Sequence, residues 1–207
     1  MKGKSLIIYS MLIPPVMALI FSTMSSNYGK TIGYFASYGI YLTISLIGCI
    51  IFSPKDKKLD VVKDEDNIKY YLLAFIPVVV TFFVTFMPTI KNFSINLFVI
   101  TFINALLNGI IEESFWRNTY NKVFQNNVLY AYIVPTIIFS IWHFALLCAK
   151  GVSYNGGASA LVGGAAVMGF IWGSVVYKTK NIKVTIVAHV LVNFFAFSQL
   201  IYENWYV

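Results

Sequence analysis

From Ile95 to Ile111 the chain passes without a charged residue, and comparable runs recur along its length. A hydrocarbon layer about 30 Å thick is crossed by roughly 20 helical residues. Within it every backbone N–H and C=O must find its partner inside the protein, which in an isolated segment means a helix. Measured by that length, about seven segments qualify: residues 5–22, 33–53, 70–89, 95–124, 128–149, 159–177 and 182–202. Composition agrees, since 58% of the 207 residues are hydrophobic and 11% are charged, too little polar surface to cover a water-soluble globule. The expected fold is all-α: a polytopic membrane helical bundle of about seven transmembrane helices. A single domain is expected over 1–207, with N-terminal helices and a cytoplasmic loop in 1–94 and the core helices in 95–202.

Charge placement gives the expected orientation. Lys2 and Lys4 precede the first apolar run as in a signal peptide, but no small-x-small cleavage site clearly follows, so an uncleaved first helix is expected. The segment PKDKKLDVVKDEDNIKY, residues 54–70, gathers most of the acidic residues and reads as a solvated loop. With a cytoplasmic N-terminus, the inside segments hold Lys2, Lys4, Lys55, Lys57, Lys58, Lys63, Lys69, Arg117, Lys122, Lys178, Lys180 and Lys183, and the outside ones only Lys30, Lys91 and Lys150. Twelve against three is the bias of the positive-inside rule, and it favours an odd number of spans. The net charge of +7 then reflects that bias and attraction to anionic lipid, with no nucleic acid implied.

Other features read as packing. Cys49 and Cys148 lie in apolar runs and serve as small hydrophobes. Gly169 and Gly173, four apart on the sixth span, allow close helix approach. Tyr70, Tyr71, Tyr130, Tyr132, Trp172, Tyr202 and Trp205 fall near span ends and are expected to be interfacial anchors.

Ionisable residues inside spans are costly and mark function by default. Here they are few: Glu112, Glu113 and Arg117 on the fourth span, His143 on the fifth, and His189, accompanied by Asn193, on the seventh. Both histidines of the chain are among them. Glu113 and Arg117 are four apart, a spacing that lets them pair on one helix face. Glu112 lies about 100° around the helix from Glu113, on the side of Asn108 and Trp116, with no cation at helical spacing. His189 and Asn193 share a face, and Phe139 lies beneath His143 in the same way. Measured from a turn at Asn126 and Asn127, Glu112 and His143 stand level, roughly 21 to 24 Å up an antiparallel hairpin. His189 is only some 13 Å from its own turn near Asn181, a poorer match that tilt or unequal loop depth would have to repair.

The set EESFWR (Glu112 to Arg117), FSIWH (Phe139 to His143) and HVLVN (His189 to Asn193) resembles the three motifs of the CAAX-processing and bacteriocin-processing intramembrane proteases, also called the Abi family. These are Glu-Glu-x-x-x-Arg, Phe-x-x-x-His and His-x-x-x-Asn/Asp, matched here in the family's order. The resemblance covers roughly residues 95–200. It implies an intramembrane endopeptidase in which Glu112 is the general base, His143 helps hold the water, and His189 and Asn193 donate to the oxyanion. Glu113 and Arg117 would brace the site, leaving Glu112 unpaired in a hydrated cavity. The first three spans carry no motif of the family.

No cofactor is firmly expected, although Glu112, His143 and His189 are possible zinc ligands despite the absence of H-E-x-x-H. The expected partners are the lipid bilayer and a peptide or membrane-anchored protein substrate. From the resemblance, that substrate is a prenyl-like C-terminal tail or a bacterial leader, signal or bacteriocin peptide. A chain rich in Lys, Asn and Ile and poor in Arg suggests an AT-rich bacterial genome, which favours the second group and a bacterial cytoplasmic membrane. Two other readings are weighed: a non-catalytic membrane scaffold or bacteriocin self-immunity protein of the same fold, and a small transporter with a proton relay. The latter is disfavoured by the lack of an inverted repeat.

Overall fold

A continuous helix of 51 residues, Lys2–Phe52, would be about 76 Å long, more than twice the thickness of the hydrocarbon layer. Gly29 resolves the conflict. Its backbone (φ 77°, ψ 173°) lies where only glycine sits without strain, and there the helix, α1, turns back on itself. The arms 2–28 and 30–52 run antiparallel. The Tyr9 hydroxyl donates to the Ile44 carbonyl at 2.7 Å, the rings of Phe21 and Tyr34 lie 5.9 Å apart, and those of Tyr9 and Phe52 lie 5.3 Å apart.

The computed structural model describes residues 2–57, 59 and 67–207. Five more long apolar helices follow α1 among them: α2 (Asn67–Asn92), α3 (Ile95–Phe124), α4 (Leu129–Cys148), α5 (Gly157–Thr179) and α6 (Ile182–Trp205). With α1 counted as a hairpin, these six helices make seven crossings, as the apolar runs require. Of the solvated loop expected at 54–70, residues 58 and 60–66 lie outside the described residues, and its last four, 67–70, already belong to α2.

Local chemistry sets the helix ends. The Ser94 hydroxyl accepts from the Leu97 N–H at 3.2 Å to start α3, and the Asn181 side chain accepts from the Lys183 N–H at 3.0 Å to start α6, both N-cap bonds. Side-chain placement is inverted relative to a soluble protein. Leu19, Ile32, Ile50, Leu72 and Ile95 point outward, while Ser10, Ser37, Asn108, Glu112, Glu113, Arg117 and His189 are buried. This is the pattern of an integral membrane protein, whose ionisable groups face the interior of the bundle.

Two ends of the bundle can be told apart. At one, the α1 turn, the α4–α5 link and the end of α6 meet. The Lys150 N–H donates to the Ser25 hydroxyl at 2.9 Å, the Asn204 amide donates to the Ser153 carbonyl at 2.9 Å, and the Lys30 ammonium donates to the Asn204 carbonyl. At the other, the α5–α6 turn meets α3. The Lys180 ammonium donates to the Asn121 side chain at 3.2 Å and the Tyr177 hydroxyl to the Asn126 carbonyl at 2.7 Å.

Glycine packing follows the sequence expectation at two positions. A Cβ on Gly173 would stand 2.7 Å from the Tyr132 ring, and one on Gly169 would stand 3.2 Å from Thr136, so α5 lies against α4 there. Trp172 departs from its expected role as an interfacial anchor. It is fully buried, its indole N–H donating to the Ala74 carbonyl at 3.0 Å, because it fills the junction of α2, α5 and α6.

Candidate active site

The site is built on α3 and α6, which pack antiparallel. Gly109 lets them approach: a Cβ there would stand 3.0 Å from the Val190 backbone nitrogen. The contact lines up Glu113 and Glu112 with His189, and Asn108 with Asn193. His189 comes into register because the α5–α6 turn rides up the end of α3, where Lys180 reaches Asn121 as well as Gln125. Glu113 and His189 are each eight residues from that junction. Unequal loop depth is the repair.

Immediately after Glu112 the helix widens into a π-helical stretch, Glu113–Thr119, a departure that recurs at functional sites. The Thr119 hydroxyl donates to the Ser114 carbonyl at 2.9 Å, occupying an acceptor that the wider turn displaces. Within this stretch Arg117 Nη1 lies 3.3 Å from Glu113 Oε1, so the expected pair forms. The guanidinium also rests over the Phe139 ring, 4.2 Å from its centroid, a cation–π contact.

His189 sits between the two glutamates. Its Nδ1–H donates to Glu113 Oε1 at 2.9 Å, and its Nε2 faces Glu112 Oε2 at 3.3 Å. The ring of Trp172 lies 4.5 Å from that of His189 and holds it in this plane. Glu112 is not unpaired, as the sequence reading had it. Besides His189 it accepts a hydrogen bond from the Tyr41 hydroxyl at 2.6 Å, and Tyr41 in turn accepts from the Trp116 indole at 3.0 Å. The partners escape a search at helical spacing because they come from other helices.

The Asn193 side-chain amide donates to Asn108 Oδ1, and the Asn108 side-chain amide donates to the Tyr38 hydroxyl at 2.7 Å. The His143 Nδ1 is 2.8 Å from the Phe139 carbonyl, which can only accept. Nδ1 therefore carries the proton, and in the neutral ring Nε2 is left as an acceptor. Phe139 stands edge-on to both imidazoles, 4.8 Å from His143 and 6.3 Å from His189. Glu112, His143, His189 and Asn193 all line one cavity of about 260 Å³. Glu113 and Arg117 stand behind it, fully buried.

The donor set does not suit a metal. Among the described residues no three His, Cys, Asp or Glu side chains converge as ligands, and both nitrogens of His189 already face carboxylates. Tyr38, Tyr41 and Trp172 are the contributors that the sequence reading leaves out. Tyr34, Tyr38 and Tyr41 do recur at helical spacing on an otherwise apolar span, the one signal that would have flagged them.

A membrane bundle whose buried carboxylates and imidazoles meet at the base of a cavity defines the class: a polytopic membrane protein with an internal polar site. Residues 94–195, nearly half of the chain, match the family model "Type II CAAX prenyl endopeptidase Rce1-like". The matched segment carries all three motifs, and it is similar to that family of membrane endopeptidases. No curated protein and no solved structure matches significantly.

Proposed function

We propose that the chain is an intramembrane endopeptidase that hydrolyses a peptide bond with water activated by Glu112. The reading is carried by one observation: a buried carboxylate, fixed by Tyr41 and His189, faces a cavity that His143 and Asn193 also line. Water in that cavity donates one hydrogen to His143 Nε2 and the other to Glu112, which takes the proton as the oxygen attacks the carbonyl carbon. The amide N–H of Asn193 not spent on Asn108 donates to the oxyanion. Glu112 then passes its proton to the departing amine nitrogen as the C–N bond breaks, leaving a carboxylic acid, which still holds the second hydrogen of the water, and an amine.

His189 acts as a positioning residue in this scheme, since Glu113 and Glu112 occupy its nitrogens. The cluster of Glu112, Glu113, Arg117 and His189 sums to zero charge whether the shared proton sits on His189 Nε2 or on Glu112 Oε2. Shifting that proton therefore adds no net charge to the membrane interior, where a lone charge is costly. The expected substrate is a leader, signal or bacteriocin-type peptide, or a membrane-anchored tail.

The test compares membrane peptidomes, by mass spectrometry, of cells carrying the wild-type chain and Glu112→Gln at equal abundance. Removing a general base lowers the rate by about 10²- to 10⁴-fold, so product peptides should vanish. Unchanged peptidomes with a folded variant would leave a non-catalytic scaffold.

A further inference from the structure

The cavity has a direction, and it can be traced along each helix. Its deepest residues are Glu112 and His189. From there the lining runs on every helix toward the same end of the bundle: to Tyr34 beside the α1 turn, to Leu146 near the end of α4, to Ala160 in the first turn of α5, and to Glu203 in the last turn of α6. The end carrying the α5–α6 turn contributes nothing to the lining. The mouth therefore lies at the end of the bundle that carries the α1 turn, the α4–α5 link and the end of α6, with Asn155 and Glu203 on its lining.

The charges of the two ends differ strongly. Arg117 is buried in the site and drops out of the count, which among the described residues leaves nine lysines on the segments at the closed end (Lys2, Lys4, Lys55, Lys57, Lys69, Lys122, Lys178, Lys180 and Lys183) against Lys30, Lys91 and Lys150 at the other. Lysine bias of this kind marks the cytoplasmic face. Glu203 adds an exposed carboxylate on the rim.

We infer that the cavity opens on the extracytoplasmic face, so that the peptide reaching Glu112 is a segment already exported or exposed on that side. Ten residues of α6 separate Asn193 from Glu203, about 15 Å of helix. An extended peptide covers that depth with four or five residues at about 3.3 Å each, so an unfolded end or loop enters where a folded domain cannot. The word substrate rests on the endopeptidase reading, but the sidedness does not.

The test uses the full chain in intact bacterial cells with Cys49→Ala and Cys148→Ala. Asn155→Cys, on the rim, should react with a membrane-impermeant maleimide before permeabilisation, and Asn126→Cys, at the closed end, only after it. The reverse pattern overturns the inference. Glu203→Cys gives a second, independent rim position should Asn155→Cys fail to accumulate, with the same two outcomes. Because labelling needs no turnover, it stands even if Glu112→Gln leaves the peptidome unchanged.

Discussion

The two halves of the chain differ in what they carry. Residues 94–195 hold the three motifs and the family match, whereas α1 and α2 hold neither. Yet the shortest hydrogen bond to Glu112 comes from Tyr41 on the motif-free half, and Tyr38 braces the Asn108–Asn193 pair. Tyr41 also stacks on Trp142, with ring centroids 3.6 Å apart, so α1 is fixed against α4 one residue before His143. The motif half supplies the reacting groups, and the other half holds them at fixed distances. Motif presence and contribution to a site are therefore separate quantities.

That division can be broken from either side. The largest effect is expected from Arg117→Leu, which strands Glu113 in the bundle. Removing one partner of a buried ion pair costs about 3 to 5 kcal/mol, to be read as a lower midpoint of unfolding in detergent, with activity lost alongside. Tyr41→Phe comes next. Deleting a hydrogen bond to a charged group costs about 1.5 to 3 kcal/mol, so kcat/KM on a cleaved peptide should fall roughly ten- to hundredfold with the unfolding midpoint lowered less than by Arg117→Leu. An unaltered kcat/KM would make α1 a scaffold only. Tyr38→Phe, acting through Asn108, removes a neutral hydrogen bond worth about 0.5 to 1.5 kcal/mol, and should give the smallest loss of the three in the same assay.

The helices were legible in the sequence because spanning lipid demands long apolar runs, and their bounds fall within a few residues of those runs. The pairing of Glu113 with Arg117 was legible because both lie on one helix. What escaped depends on contacts between helices. His189 meets two glutamates because the α5–α6 turn reaches up α3 as far as Asn121, and neither spacing nor composition encodes where a turn docks. Trp172 looked like an anchor by its distance from a span end, but α2 covers it. The π-helical stretch at Glu113–Thr119 has no compositional mark, since its residues suit an α-helix equally well.

Gly29 bears on motion as well as on shape. Because one residue makes the whole turn and the arms interlock through Tyr9 and Phe21, neither arm can slide past the other without opening the bend. Tyr41 thus keeps its height within the hairpin, which presents its hydroxyl to Glu112 as a rigid bracket.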